Sequence, residues 1–347
     1  MMTQNYLTYT AFALVCLALL TLPFVPAVRE WLYPTDSVAL PVSANYTSDI
    51  DHFARRLRAD VAAKLGQGEP TGYEDFDFVD SPVGAMDWGQ AGKRLISRGS
   101  IDVVAPIRST RPLYVEGDIH AGVDSAFAAL YASGDIHLDA ESTIHDWAHA
   151  DGVLRLEHKS VALRRISAGK AIELGNEVWF ERLHAPRVHF GVGNSWKSPP
   201  DEASQTQARY ADLSDAVQQT PALFVIRGDC ALPPGRIYRG SLVVAGFLTI
   251  GAGTTVIGDI KARHGVSIGP RAWVQGAVTC EKRVYVFKDA RVFGPVISES
   301  DILIGSDAVI GLPDAPTTVS AANIIVESGV VVHGTVWAHE IGMVKAA

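Results

Sequence analysis

A chain of 347 residues with 48% hydrophobic content can bury a large core, which excludes wholesale disorder. A formal net charge of -8, with only 20% charged residues, leaves no basic footprint of the kind nucleic acid requires as a partner. The 3 cysteines, Cys16, Cys230 and Cys280, are odd in number and lack CxxC spacing, which argues against a disulfide framework and against a cysteine zinc site.

Residues 11–28 are almost wholly apolar and uncharged. As a helix they would span ~27 Å, close to the ~30 Å hydrocarbon core of a bilayer, so residues 1–28 are expected to be a single-pass transmembrane anchor. Pro23 and Pro26 would kink its end, and Val25-Pro26-Ala27 offers a competing signal-peptide reading. The absence of Lys or Arg before the run weighs against cleavage. Arg29, Arg55, Arg56 and Arg58 follow it and lean toward a cytoplasmic body by the positive-inside rule, with a periplasmic body left open.

Residues 29–93 read as a linker, extended at first around Pro34 and Pro41. Ile50, Phe53, Ala54, Leu57, Val61 and Leu65 then recur on one helical face and Gly66 stops the run, so the linker holds one amphipathic helix. That helix is either a docking segment or an ordinary helix packed on the next domain. Residues 67–92 are polar, acidic and Gly-rich, which suits a loop with one short element.

From residue 94 to 193 the sequence repeats. Ile101, Ile119, Ile136, Leu154, Ile172 and Val188 follow at steps of 18, 17, 18, 18 and 16, and a second apolar column lies two residues on: Val103, Ala121, Leu138, Leu156, Leu174 and Phe190. Between them runs a polar column of Asp102, His120, His137, Arg155, Glu173 and His189. Alternation of this kind in every ~18-residue turn is what a coiled sheet demands, because successive strand side chains point to opposite faces.

Residues 194–220 lose the period and read as an insertion with modest helical character. A second array over residues 221–347 repeats more strictly: Ile250, Ile268, Val286 and Ile304 are spaced by 18, as are Val256, Val274, Val292 and Ile310. Glycines mark a corner at Gly240, Gly258, Gly276 and Gly294, and the register resumes at Gly334 after a four-residue insertion near residues 312–316. The fold expected is all-β, a three-faced parallel β-helix solenoid with an N-terminal transmembrane helix and a short α-helical linker region.

The stretch Val256-Ile257-Gly258-Asp259-Ile260-Lys261-Ala262, then Val266-Ser267-Ile268-Gly269 and Ala272-Trp273-Val274-Gln275-Gly276-Ala277-Val278, resembles the turn motif of bactofilins, the polymer-forming bacterial cytoskeletal proteins. Val115-Glu116-Gly117-Asp118-Ile119-His120-Ala121 and Ser133-Gly134-Asp135-Ile136-His137 look like earlier copies. The resemblance implies a right-handed coil, nucleotide-free filaments and a scaffolding role at the bacterial inner membrane. Gly258, Asp259, Ile260, Gly276 and Gly294 would be its motif residues. Two arrays, the insertion and the N-terminal region depart from a minimal bactofilin and put simple filament formation in doubt.

Stacked turns leave unpaired strand edges at their ends. The last turn, with Val330, Val332, Val336, Trp337 and Ile341, is followed by only a short tail, so it is expected either to contact another copy or a partner, or to be covered by that tail. The enzymatic alternative is a hexapeptide-repeat acyltransferase or a zinc enzyme of the γ-carbonic anhydrase kind. His120 and His137 should stack on adjacent turns and could share a metal ion, but Arg155 continues their column, which favours a solvated polar ladder. His333 and His339 are six apart, and no P-loop or HExxH pattern is present. A periplasmic β-helix along polysaccharide is the remaining alternative, though Trp147, Trp179, Trp273 and Trp337 form no regular track. The reading is therefore a non-catalytic scaffold without cofactor or metal. Its partners would be itself, the membrane through residues 11–28, and envelope or polysaccharide-synthesis proteins.

Overall fold

The computed structural model describes residues 2–32, 50–65, 76–79, 91–191, 206–213 and 215–346. Residues 1–49 and 50–347 form two compact units, taken here separately. In the first, helix α1 (Met2–Thr21) leads through a single 3-10 turn, Leu22–Phe24, into helix α2 (Val25–Leu32). Among the described residues no helix is long and apolar enough to cross a membrane. The run 11–28, expected as one helix, is divided at Pro23, and α1 reaches back through the polar Thr3, Gln4, Asn5, Thr8 and Thr10.

The second unit is a parallel β-solenoid of about 14 turns. Its strands stack in three columns, which make three faces. Leu95, Leu113, Leu130, Ala148, Ile166 and Leu183 line face A from inside. Ile101, Ile119, Ile136, Leu154, Ile172 and Val188 line face B in the register expected from the repeat. Phe127, Ile144, Ala162 and Phe180 line face C. All are buried. The second array behaves alike: Ile250, Ile268, Val286 and Ile304 pair in sequence and are buried.

Coil 1 starts earlier than the repeat suggests. Phe76–Val79 pairs in parallel with Arg94–Ser97, so the short element expected in the linker is the first strand of the coil. Coil 2 starts with strand rather than helix. Thr206–Gln207 pairs with Arg236–Arg239, and Ala216–Thr220 lies antiparallel to Leu223–Ile226. Between them Tyr210 is buried, its ring stacked 4.9 Å from that of Tyr238. Part of the expected insertion, residues 194–205, lies outside the described residues. Near 312–316 the four extra residues leave the coil as a small loop, and Ile302 pairs with Ile324, a step of 22 instead of 18.

Helix α3 (His52–Leu65) packs on the outside of face A of coil 1. Ala54, Leu57 and Val61 bury against Phe76, Ile96, Tyr114 and Tyr131. Arg58 reaches Asp151 at 3.2 Å and Asp60 reaches Arg94 at 3.4 Å, pairs that fix its position along the rod. Phe53 is exposed, with the Arg165 guanidinium 5.1 Å from its ring centre.

The two coils meet tail to tail. The last strand of coil 1, Trp179–Phe190, runs antiparallel to the last strand of coil 2, Val330–Val344, and pairs with it on all three faces. Phe190 faces Val330, Val188 faces Val332, Leu183 faces Val336, Arg182 faces Trp337 and Phe180 faces Gly342. This corrects the expectation for Val330, Val332, Val336, Trp337 and Ile341: they do not form an open end awaiting another copy, because coil 1 of the same chain occupies it. Two unpaired edges of similar length, 12 and 15 residues, satisfy each other's backbone groups. Of the five, Ile341 alone stays 45% exposed.

Candidate functional site

The motif residues are structural. A Cβ added at Gly258 would lie 2.3 Å from the Gly240 carbonyl oxygen, and one added at Gly276 would lie 2.4 Å from that of Gly258. Gly294 meets Gly276 in the same way at 2.6 Å, so the corner admits only glycine in successive turns. Asp259 carries the next link. Its Oδ1 accepts the Ala277 N–H at 2.8 Å, while its own N–H donates to Ser241 Oγ at 3.2 Å. Asp118, Asp135 and Asp229 cap Asp135, Val153 and Phe247 likewise, each at 2.7 Å. Asp229 is thereby a corner residue. Ile260 is buried in the core.

Donor chemistry gathers instead on the outside of face B, in the polar column of coil 1. His120 and His137 stack with ring centres 4.7 Å apart and planes 16° from parallel. His120 Nδ1 lies 3.0 Å from Asp102 Oδ1 and its Nε2 lies 3.3 Å from Asp139 Oδ1. His137 Nε2 is 3.7 Å from the same Asp139 oxygen and 3.4 Å from Glu157 Oε1, yet it has hydrogen-bond geometry to neither. Burial works against charge on His120, but its hydrogen bonds to Asp139 and Asp102 outweigh this and raise its pKa. Donor atoms of His120, His137 and Asp139 all fall within 4.8 Å of one another, the spacing of a metal-ligand group. Arg155, next in the column, turns to Glu173, with Nε 2.9 Å from Oε2.

Sequence periodicity located the two histidines and missed the two carboxylates. Asp139 and Glu157 stand two residues beyond the polar column, so the same strand alternation puts them on the outer face. The other histidines considered go elsewhere: His333 Nδ1 lies 3.0 Å from the Pro186 carbonyl oxygen across the junction, and His339 Nε2 lies 3.0 Å from Ser320 Oγ.

A second feature lies on the outside of face C. Tyr285, Leu303, Ile325, Met343, Trp179 and Val161 pair in that order across six strands and over the junction. Phe287, Ile341 and Leu163 flank them at 46%, 45% and 48% exposure. Outward-facing strand positions that water covers are ordinarily polar, so this strip is an unusually apolar stretch of the outer wall.

Comparison with known protein families, with curated proteins and with solved structures finds no match. The likeness to bactofilins therefore rests on the quoted motif residues. The motif's glycines and aspartates shape the corners; His120 and His137 fall within its earlier copies, whereas Asp139, Glu157 and the apolar strip lie outside it.

Proposed function

We propose that the chain is a non-catalytic scaffold of the bactofilin kind, a right-handed three-faced rod held at the bacterial inner membrane by residues 11–28 with its body on the cytoplasmic side. Its sides recruit copies of itself and proteins of envelope or polysaccharide synthesis. One observation carries the reading: the apolar strip of face C runs unbroken across the junction of the two coils. At ~4.8 Å per strand, six strands give a strip of roughly 25 to 30 Å. Because the coils abut antiparallel, the strip extends from the junction in both directions, and a second rod laid alongside in reverse would set each strip on its twin. That is an isologous contact, the commonest way two identical chains pair.

End-to-end growth through the last turns is ruled out in this reading, since each is spent on the other. Lateral pairing takes its place. The test is the mass of the full-length chain in mild detergent, by light scattering and electron microscopy, beside the double variant Leu303→Glu, Ile325→Glu. Wild type should be a dimer or larger and the variant a monomer with unchanged circular dichroism. A wild-type monomer at high concentration would sink the proposal.

A further inference from the structure

We propose that His120, His137, Asp139 and Glu157 form a binding site for one divalent transition-metal cation of the zinc class, which clamps three successive turns of coil 1. The inference stands apart from the scaffold reading and rests on four features of face B.

The first is spacing. Ligands held at ~2.0 to 2.1 Å around a tetrahedral zinc stand about 3.3 Å from one another. The separations here are 3.3 Å for His120 Nε2 to Asp139, 3.7 Å for His137 Nε2 to Asp139 and 3.4 Å for His137 Nε2 to Glu157. Donor atoms of His120, His137 and Asp139 already lie within 4.8 Å of one another, and Glu157, beside His137, would swing in to complete the set. The second is the direction of lone pairs. His120 turns each ring nitrogen to a carboxylate, Nδ1 to Asp102 and Nε2 to Asp139, and a neutral ring has one proton for the two, so a proton on Nδ1 satisfies Asp102. In the neutral ring Nε2 is then a bare lone pair pointing at another acceptor, Asp139. Two opposed acceptors call for a cation between them.

The third is His137. Its Nε2 is enclosed without a hydrogen-bond partner, although two carboxylates flank it. A buried polar atom left this way costs free energy that a bound metal would recover. The fourth is charge. Asp102, Asp139 and Glu157 converge on the pair, while the nearest cation in the column, Arg155, is already matched by Glu173. Imidazole with carboxylate, and no thiolate, suits zinc and its first-row neighbours and not a soft monovalent ion. Asp102 then has the role of an outer carboxylate that fixes the ring of a metal-binding histidine. The histidines come from strands and the carboxylates from positions just past strand ends: His120 from one turn, His137 and Asp139 from the next, Glu157 from the third. The ion would add a further link between turns already joined by backbone hydrogen bonds, core contacts and side-chain bonds such as Asp118 to the Asp135 N–H.

The competitor is a proton, held on His120 between Asp102 and Asp139. Calorimetry with zinc chloride on chelator-treated full-length protein in detergent distinguishes the two. One equivalent of zinc should bind and raise the thermal midpoint. His137→Ala should abolish both effects, Asp102→Asn should weaken binding by roughly 10- to 100-fold, and His264→Ala should change neither. Cobalt in place of zinc should give the visible absorption of a tetrahedral site in wild type and not in His137→Ala. Circular dichroism of each variant checks the fold. No zinc binding in wild type, or binding that survives His137→Ala with its stoichiometry intact, would overturn the site and leave the proton or an adventitious surface ion in its place.

Discussion

Coil 1 and coil 2 solve the same stacking problem with different materials. Coil 2 is close to uniform: steps of 18, short strands of two to four residues through most of its length, and glycine against glycine at one corner. Coil 1 is irregular, with strands of seven and eight residues that run round a corner and shift register between Phe127 and Ala129 and between Ala162 and Arg165. It also carries the outer additions, namely the cover of helix α3 on face A and seven of the 11 histidines. Uniform turns make a stiff spacer, and departures from uniformity mark where side chains have a task besides stacking. The candidate metal cluster lies in coil 1, and the apolar strip crosses from one coil to the other.

The comparison is broken most severely at the junction, where the coils depend on each other. Leu183 and Val336 face one another there and both are fully buried. Replacing Leu183 by Asp puts an unpaired charge between the coils and should cost about 4 kcal/mol or more. Denaturant unfolding should then show two transitions, as coil 1 and coil 2 lose their mutual support. A single transition, with a loss below about 1 kcal/mol, would mean that the junction contributes little to either coil.

The aliphatic columns were legible because their signal is local and repeated: a period of two inside a period of about 18, with an aliphatic residue at each step from Ile101 to Val188 and from Ile250 to Ile304. The junction was not legible. Nothing in the residues of the last turn distinguishes an edge that pairs with its own chain from one that pairs with another copy, and the partner strand lies some 150 residues away. A second corner was also hidden. In coil 2 it opens on Gly235 and Gly253, at φ +67° and +64°, but Asp124, Glu141, Lys159 and Glu177 in coil 1, and Arg271, Asp289 and Asp307 in coil 2, take φ near +60° without a glycine. Their backbone N–H groups donate to carbonyls one turn on, as Lys159 does to Asn176 at 3.0 Å and Arg271 to Lys288 at 3.0 Å. Those bonds offset a conformation that ordinary residues avoid. At the histidine cluster, spacing gave the histidines, while the carboxylates needed knowledge of where the corner falls.

The glycine corner sharpens the contrast between regular and irregular turns at intermediate cost. In coil 2, a methyl at Gly276 meets the Gly258 carbonyl oxygen at 2.4 Å, which is backbone and cannot yield. In coil 1, a methyl at Gly134 first meets Asp118 Oδ1 at 2.0 Å, a side-chain atom, with the Gly117 backbone at 2.9 Å. Gly276→Ala should therefore destabilise by about 1 to 3 kcal/mol, the usual cost of overpacking, and Gly134→Ala by less. Urea midpoints of the two variants give the order directly. Equal losses would show that the corner is as tight in coil 1 as in coil 2.

The smallest effect concerns acid. His149 and His184 both stand on face A of coil 1, and burial lowers the pKa of each, although Asp151 and Asp51 pull His149 the other way. His149 Nδ1 lies 2.7 Å from Ser167 Oγ, and His184 Nδ1 lies 2.9 Å from Thr335 Oγ1 on coil 2. A histidine whose folded pKa is depressed binds its proton more readily when the chain is unfolded, so its contribution is complete above the unfolded value of ~6.5. It is lost as pH falls from there through the folded pKa. His120, with its pKa raised, acts in the opposite sense and favours the fold below ~6.5. The thermal midpoint of wild type should accordingly drop between about pH 7 and 5, less steeply in the double variant His149→Gln, His184→Gln and more steeply in His120→Gln. Parallel curves for all three proteins would remove the histidines of coil 1 as the source of any acid sensitivity.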